Sequence, residues 1–224
     1  MNTLSNYLRN TSELNQRVVM GIVMIVMIGV PILLGGALFL SILFCLCVLV
    51  TSEYVSIVRS PKASILLFIT LEFIGFYLMR ESAFGFHKVL LLVFSVASFD
   101  TIAYFTGKAI GKHKLCPTIS PGKTIEGFIG GVLITLILSI PIYHLLKCKL
   151  SFILYFGVIV ILTILTQLGD IIESKFKRQY GVKDSSTLIP GHGGVLDRFD
   201  GYILALPAFF AITMAFKLFN IPIF

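Results

Sequence analysis

The chain has 224 residues, 57% of them hydrophobic and only 13% charged, and its mean hydropathy of +0.97 lies far above that of an ordinary soluble domain. A globule of this length would need more polar surface than 18 basic and 11 acidic side chains supply, whereas a bilayer solvates apolar surface directly, so a water-soluble monomer is excluded. The net charge of +7 comes without any basic stripe interleaved with aromatics, which excludes a nucleic-acid binder and leaves membrane topology to account for the charge.

Met1 to Arg17 is too long and mixed for the charged segment of a signal peptide. The apolar stretch Val18 to Leu34 then ends at Gly35-Gly36 without a small-residue cleavage site, so it reads as a retained anchor. No charge occurs between Arg17 and Glu53, and those 35 positions accommodate two short passes hinged at Gly35-Gly36. Further spans are expected at roughly Ala63 to Met79, Val89 to Phe105, Ile125 to Leu146, Phe152 to Ile172 and Leu196 to Phe216. The expected fold is therefore an all-α polytopic transmembrane helix bundle of about seven spans. At about 20 residues each they use about 140 residues and leave no room for a second soluble domain. Residues 1–97 form the amino-terminal spans and 98–224 the catalytic region of one membrane-embedded unit. With the amino terminus placed in the cytoplasm, thirteen basic residues fall on the inner side against five outside (Arg80, Lys88, Lys147, Lys149, Lys217), the asymmetry that the positive-inside rule requires. Cys45, Cys47, Cys116 and Cys148 form no CxxC pair and read as packing residues.

Two polar loops, Gly107 to Thr124 and Glu173 to Gly194, both fall on the cytoplasmic side. Seven of the 11 acidic residues (Asp100, Glu126, Asp170, Glu173, Asp184, Asp197, Asp200) lie in or beside them. An acid at membrane depth costs about 2.5–3.5 kcal/mol and usually faces a wet, functional cavity. Asp100 is read that way, the alternative being a buried Asp with Tyr104 as partner. Asp170, Glu173, Ser174 and Lys177 follow one another at helical spacing on a single stripe, and Asp197 and Asp200 form a second acidic pair. Two facing carboxylate-bearing helix ends would make an oxygen-rich pocket suited to Mg²⁺; an intrahelical Glu173–Lys177 pair would explain only one of them.

His192-Gly193-Gly194 precedes the second pair and offers backbone N–H groups to phosphate oxygens at a helix start. Lys175, Lys177, Arg178, Lys183 and Arg198 surround it, more cations than topology requires, and point to polyphosphate. Gly122-Lys123-Thr124 ends like a P-loop, but Pro117 occupies the first glycine position and no strand precedes it, so a P-loop is rejected. Ser120, Lys123 and Thr124 are left as phosphate contacts or as the cap of a helix bearing Glu126.

Ser174 to Asp200, SKFKRQYGVKDSSTLIPGHGGVLDRFD, resembles the signature of the phosphatidate cytidylyltransferases, or CDP-diglyceride synthases. Ser174, Lys177-Arg178, Lys183-Asp184, Pro190, His192-Gly193-Gly194, Asp197-Arg198 and Asp200 stand at the family spacing. Gln167-Leu168-Gly169-Asp170 with Glu173, the run from Asp100 to Lys112, and Ser120 to Gly127 resemble further family blocks, so the likeness covers roughly Ser98 to Pro207. Ile102, Gly122 and Ile125 stand where members commonly have glycine, lysine and tryptophan, and the amino-terminal region is shorter than in many relatives. The resemblance implies the reaction of CTP with phosphatidate to CDP-diacylglycerol and pyrophosphate, dependent on Mg²⁺, with a second cation such as K⁺. It implies Asp170 and Asp197 as metal ligands, with Glu173, Ser174 and Asp200 supporting them. Lys177, Arg178, Lys183 and Arg198 would bind the phosphates of CTP or lipid, with Asp100, Glu126 and Asp184 in support. It further implies a homodimer in a bacterial inner membrane with its active site on the cytoplasmic side.

The acidic pattern of the CDP-alcohol phosphotransferases fits no segment. A cation-coupled transporter would also place acids at membrane depth, but it has no use for the cation-rich His-Gly-Gly loop.

Overall fold

The computed structural model describes residues 21–58, 60–189 and 193–224. Arg9 and Arg17, the start of the first expected span, Arg59, and residues 190–192 with His192 lie outside the described residues. In chain order the elements are α1 (Gly21–Leu34), α2 (Gly36–Ile57), α3 (Ala63–Glu81), α4 (Gly85–Ile110), β1 (Lys114–Cys116), β2 (Ser120–Thr124), α5 (Ile125–Leu145), α6 (Phe152–Gln179), α7 (Leu196–Phe199) and α8 (Tyr202–Leu218). Helices α2 to α6 are each long and apolar enough to cross a membrane, while α1 and α8 are shorter apolar helices. The architecture is an all-α membrane bundle with one small hairpin.

The hinge between α1 and α2 has a specific cause. Gly35 and Gly36 take φ of +69° and +58°, the left-handed region that glycine enters without a Cβ penalty. The carboxyl end of α3 then clamps the break. Arg80 Nε donates to the Ile32 carbonyl at 2.6 Å and Nη2 to that of Leu33 at 3.0 Å, while Glu81 Oε1 accepts from the Gly36 N–H at 3.0 Å. A cation thus caps the end of one helix and an anion the start of the next, as their dipoles favour.

The most extensive helix contact joins α4 to α5, and small residues permit it. A Cβ on Gly131 would lie 2.8 Å from the Phe99 ring, and one on Gly127 would lie 2.7 Å from the Ala103 carbonyl. The Gly127-x-x-x-Gly131 spacing therefore lets the two backbones approach as in close-packed membrane helices.

Two expectations change. The loop Gly107 to Thr124 contains an antiparallel hairpin pairing Lys114 with Thr124 and Cys116 with Ser120; strands of three and five residues carry too little alternation to be read from sequence. Gly122-Lys123-Thr124 lies in β2 itself, not in a phosphate-cradling loop. The span expected over Leu196 to Phe216 is broken after α7. There α6 presses on the break, since a Cβ on Gly169 would lie 2.5 Å from the Asp200 carbonyl oxygen. Asp200 Oδ1 accepts from the Gly201 N–H at 2.8 Å, so a local side-chain bond replaces helix continuity. Helix α6 runs seven residues past the expected Ile172. At 28 residues it is about 42 Å long, longer than the ~30 Å hydrocarbon layer, which leaves length for its polar last turns to extend past that layer.

Candidate active site

Helix α6 supplies the spine of the site because Asp170, Glu173, Ser174 and Lys177 stand at i, i+3, i+4 and i+7 and so share one face. Lys177 Nζ lies 2.7 Å from Glu173 Oε2 and 2.7 Å from Asp197 Oδ1. All three side chains are buried, with Glu173 only 2% exposed. Asp197 also accepts from the backbone N–H groups of Ser185 (2.9 Å) and Gly194 (2.8 Å). Burial alone would raise its pKa, but Lys177 and those two N–H groups outweigh burial and hold it below the usual carboxylate range. The intrahelical Glu173–Lys177 pair is thus real, and Asp197 joins it from α7. Glu173 Oε1 is buried without a hydrogen-bond partner among the described residues, so the group has acceptor capacity left over.

A second group of charges lies one turn nearer the bundle core. Asp170 forms an ion pair with Lys123 of β2 and accepts from Ser174 Oγ at 3.3 Å. Asp100 of α4 stands within electrostatic reach of Asp170, Asp200 and Lys123. Asp200, between α7 and α8, has its pKa pushed up to about 6, first by burial and then by the like charge of Asp170. The hairpin is what carries Lys123 to this recess. Its base is fastened by Glu126, which accepts from Lys112 N at 3.0 Å and lies 2.6 Å from His113 Nδ1. Glu126 therefore supports the hairpin and not the acidic recess. Tyr104, 62% exposed, makes no bond to Asp100 among the described residues and stacks instead under Lys108.

One expected pairing is arranged differently. Asp170 and Asp197 each face a different lysine, Lys123 and Lys177. The three acids Asp100, Asp170 and Asp200 are an oxygen-only donor set that matches Mg²⁺ in chemistry, yet no three Asp, Glu, His or Cys among the described residues are gathered closely enough to hold a metal ion. The glycine loop is also spoken for. The Gly194 N–H donates to Asp197, and the N–H groups of Val195 and Leu196 donate to Glu53 at 2.9 and 2.8 Å. Gly193 takes φ +82° and its carbonyl accepts from Ile189 N, closing the loop. Thr124 caps α5, accepting from Gly127 N at 3.1 Å, while Ser120 opens β2 opposite Cys116. Arg178, Lys183, Asp184 and Arg198 are exposed around the rim, and Arg178 donates to the Val182 carbonyl at 2.9 Å.

Glu53 is the residue that sequence reasoning passed over. At the end of α2, 5% exposed, it accepts from Ser185 Oγ (2.8 Å), Ser186 Oγ (2.7 Å) and the two N–H groups just named. Tyr54 beside it stacks on Phe176 of α6, ring centroids 5.8 Å apart, which fixes the end of α2 against the spine. The available signal was an acid closing an otherwise uncharged apolar run.

A model of the cytidylyltransferase family matches residues 63–216. Curated proteins named phosphatidate cytidylyltransferase are similar over 62% of the chain. The one from Staphylococcus aureus is 46% identical over 140 residues, 62% of this chain and 53% of the relative. That from Staphylococcus haemolyticus is 47% identical over 140 residues, with the same coverage of both chains. That from Staphylococcus epidermidis is 42% identical, again with 62% and 53% covered. The chain spans about half the length of the curated relatives it matches. The family match takes in α3 to α8, and with them every charged side chain of the site except Glu53, so the chain belongs to the cytidylyltransferase family.

Proposed function

We propose that the protein transfers the cytidylyl group of CTP to phosphatidate, releasing CDP-diacylglycerol and pyrophosphate. The observation that carries this reading is Lys177, an ammonium buried between two carboxylates beside a cation-rimmed loop. A second lysine, Lys123, is set on the neighbouring acid. The lipid phosphate is already an anionic nucleophile, so the protein need only bring two anions together in line and offset the charge of the departing one. A phosphate oxygen of the lipid bonds to the α-phosphorus of CTP as the α-phosphorus bond to the bridging oxygen breaks, and that oxygen leaves on pyrophosphate. Lys177 and Lys123 neutralise charge at the reacting phosphates. Arg178, Lys183 and Arg198 hold the outer ones from the rim, because the loop N–H groups at Gly194, Val195 and Leu196 are already engaged. Mg²⁺ would be held in the acidic recess by Asp170 with Asp100 and Asp200, Ser174 supporting Asp170, while Asp197 and Glu173 hold Lys177; a second cation such as K⁺ would use the same recess. When bound, the metal supplies positive charge against the phosphate oxygens.

The test is turnover by the full chain in detergent or nanodiscs. CTP consumption and pyrophosphate release are expected only when phosphatidate and Mg²⁺ are both present, with inversion at a chiral α-phosphorothioate of CTP. Consumption of CTP without lipid, or none with all components, rejects the reading. Retention would replace direct transfer by a covalent intermediate, for which His192 is the first residue to test.

The site is proposed to face the cytoplasm of a bacterial inner membrane, on the strength of the lysine and arginine asymmetry. In a variant stripped of its four native cysteines, Thr187→Cys is expected to react with an impermeant thiol reagent only from the cytoplasmic face and Lys149→Cys only from the other. Both positions are exposed. Labelling of both from one side overturns the orientation.

A further inference from the structure

We propose that the apolar cavity bounded by α2, α3, α6, α7 and α8 seats one acyl chain of the lipid substrate; which lipid that is rests on the function proposed above. The cavity measures about 260 Å³ and is lined almost wholly by side chains such as Val50, Ile65, Phe68, Ile69 and Phe73, with Glu72 and Glu173 as the acids on its wall. A nucleotide or a water-filled transport path would need several convergent polar partners, which this lining lacks.

Continuity with the reaction site identifies the occupant. Glu173 lines the cavity and pairs with Lys177. Leu196 and Phe199 also line it, and each is the immediate neighbour of a site carboxylate, Asp197 or Asp200. A molecule whose phosphate lies at Lys177 therefore has the cavity directly below its head. The direction fits as well. Along α3 the wall runs from Ile65 to Phe76, about 16 Å of helix rise, inward from the end of the bundle that carries the charges, as the chain of a lipid with its headgroup at the interface would run. The cavity opens sideways, because α3 packs on α2, α4 and α8 while Phe68 of α3 and Ile172 of α6, both lining residues, remain 39% and 50% exposed. A volume below the ~300 Å³ of small-ligand pockets admits part of one chain and leaves the other in the bilayer.

Lipid tails are as apolar as this lining, so moving a chain from bilayer to cavity yields little affinity. The cavity instead fixes where the lipid phosphate stops. The experiment uses phosphatidate bearing a photoreactive diazirine and an alkyne on one chain, with the full-length protein in nanodiscs, read by mass spectrometry of labelled peptides. Label is expected on α3 between Ile65 and Phe76 and on facing residues of α6 and α8, competed by unlabelled phosphatidate. Phe68→Trp, at the exposed lip where folding is undisturbed, and Ile69→Trp, deeper in, are expected to cut this labelling and to lower kcat/KM for dipalmitoyl phosphatidate about tenfold. Neither should alter KM for CTP. Uncompeted label spread over bilayer-facing residues such as Ile153 and Leu133 overturns the cavity, as does Phe68→Trp with unchanged labelling and unchanged lipid kinetics. Wild-type protein that turns over phosphatidate but labels elsewhere loses the cavity and keeps the activity. Competed label within the cavity of a protein inert toward CTP keeps the cavity as an acyl-chain site and loses the activity.

Discussion

Lys177→Met is expected to lower kcat/KM by about 10²–10³-fold, the scale seen when one preorganised donor to a developing charge is removed. It should also destabilise the fold. Lys177 is the shared partner of Glu173 and Asp197 at 2.7 Å each, and removing it strands two buried carboxylates. Breaking a buried ion pair in this way costs about 3–5 kcal/mol. The two effects are separable. Glu173→Gln in the Lys177→Met background removes one stranded charge, so the thermal midpoint in detergent should recover in part while turnover stays lost. If activity recovers together with the midpoint, Lys177 serves the fold alone and its role at the phosphates is rejected. Asp197→Asn is the complementary case. The Ser185 and Gly194 N–H groups can still be accepted by the amide oxygen, yet the charge that holds Lys177 is gone, so turnover should fall on the same scale with a smaller change in midpoint.

How far these residues were legible in the sequence depended on how local their partners are. The i, i+4 pair Glu173–Lys177 and the Ser174–Asp170 bond follow from helical spacing alone, and both were on the expected stripe. Helices α3 and α5 begin at the expected residues because long apolar runs announce themselves. The hairpin that delivers Lys123 to Asp170 escaped because its strands are too short to show a period. The break at Asp200-Gly201 escaped because hydropathy averages over a window that α7 and α8 share, whereas the cause is the backbone of Asp200 pressed against Gly169. The glycine loop was legible as a loop beside the second acidic pair but not in its bonding. Gly194 looks like an open donor until Asp197, three residues on, is seen to accept from it. Pairing Asp170 with Asp197 assumed that acids on facing helix ends meet, whereas each is drawn to a different lysine.

Glu53→Gln is expected to cost about 100-fold in kcat, although Glu53 itself touches none of the proposed phosphate-binding side chains. Its carboxylate receives four hydrogen bonds from both strands of the loop, at Ser185 and Ser186 on one side and Val195 and Leu196 on the other. Those partners are 132 to 143 residues away in sequence, which is why no local pattern reveals the role. A carboxylate can accept all four bonds. The glutamine amide has one acceptor oxygen and turns an NH₂ toward groups that are themselves donors, so at least one pair must open. Each donor left unpaired in a buried setting costs about 1–3 kcal/mol. The catalytic loss follows from position, since Ser185 also donates its N–H to Asp197, which in turn fixes Lys177. A displacement of about 1 Å at such a group is enough for a 100-fold loss. Hydrogen exchange is the discriminating measurement. Faster exchange confined to the amides of Ser185, Gly194, Val195 and Leu196, with α4 and α5 unchanged and Glu53→Asp restoring part of the activity, is the expected pattern. Exchange that rises uniformly through the bundle would make Glu53 a general packing residue and remove its claim on the loop.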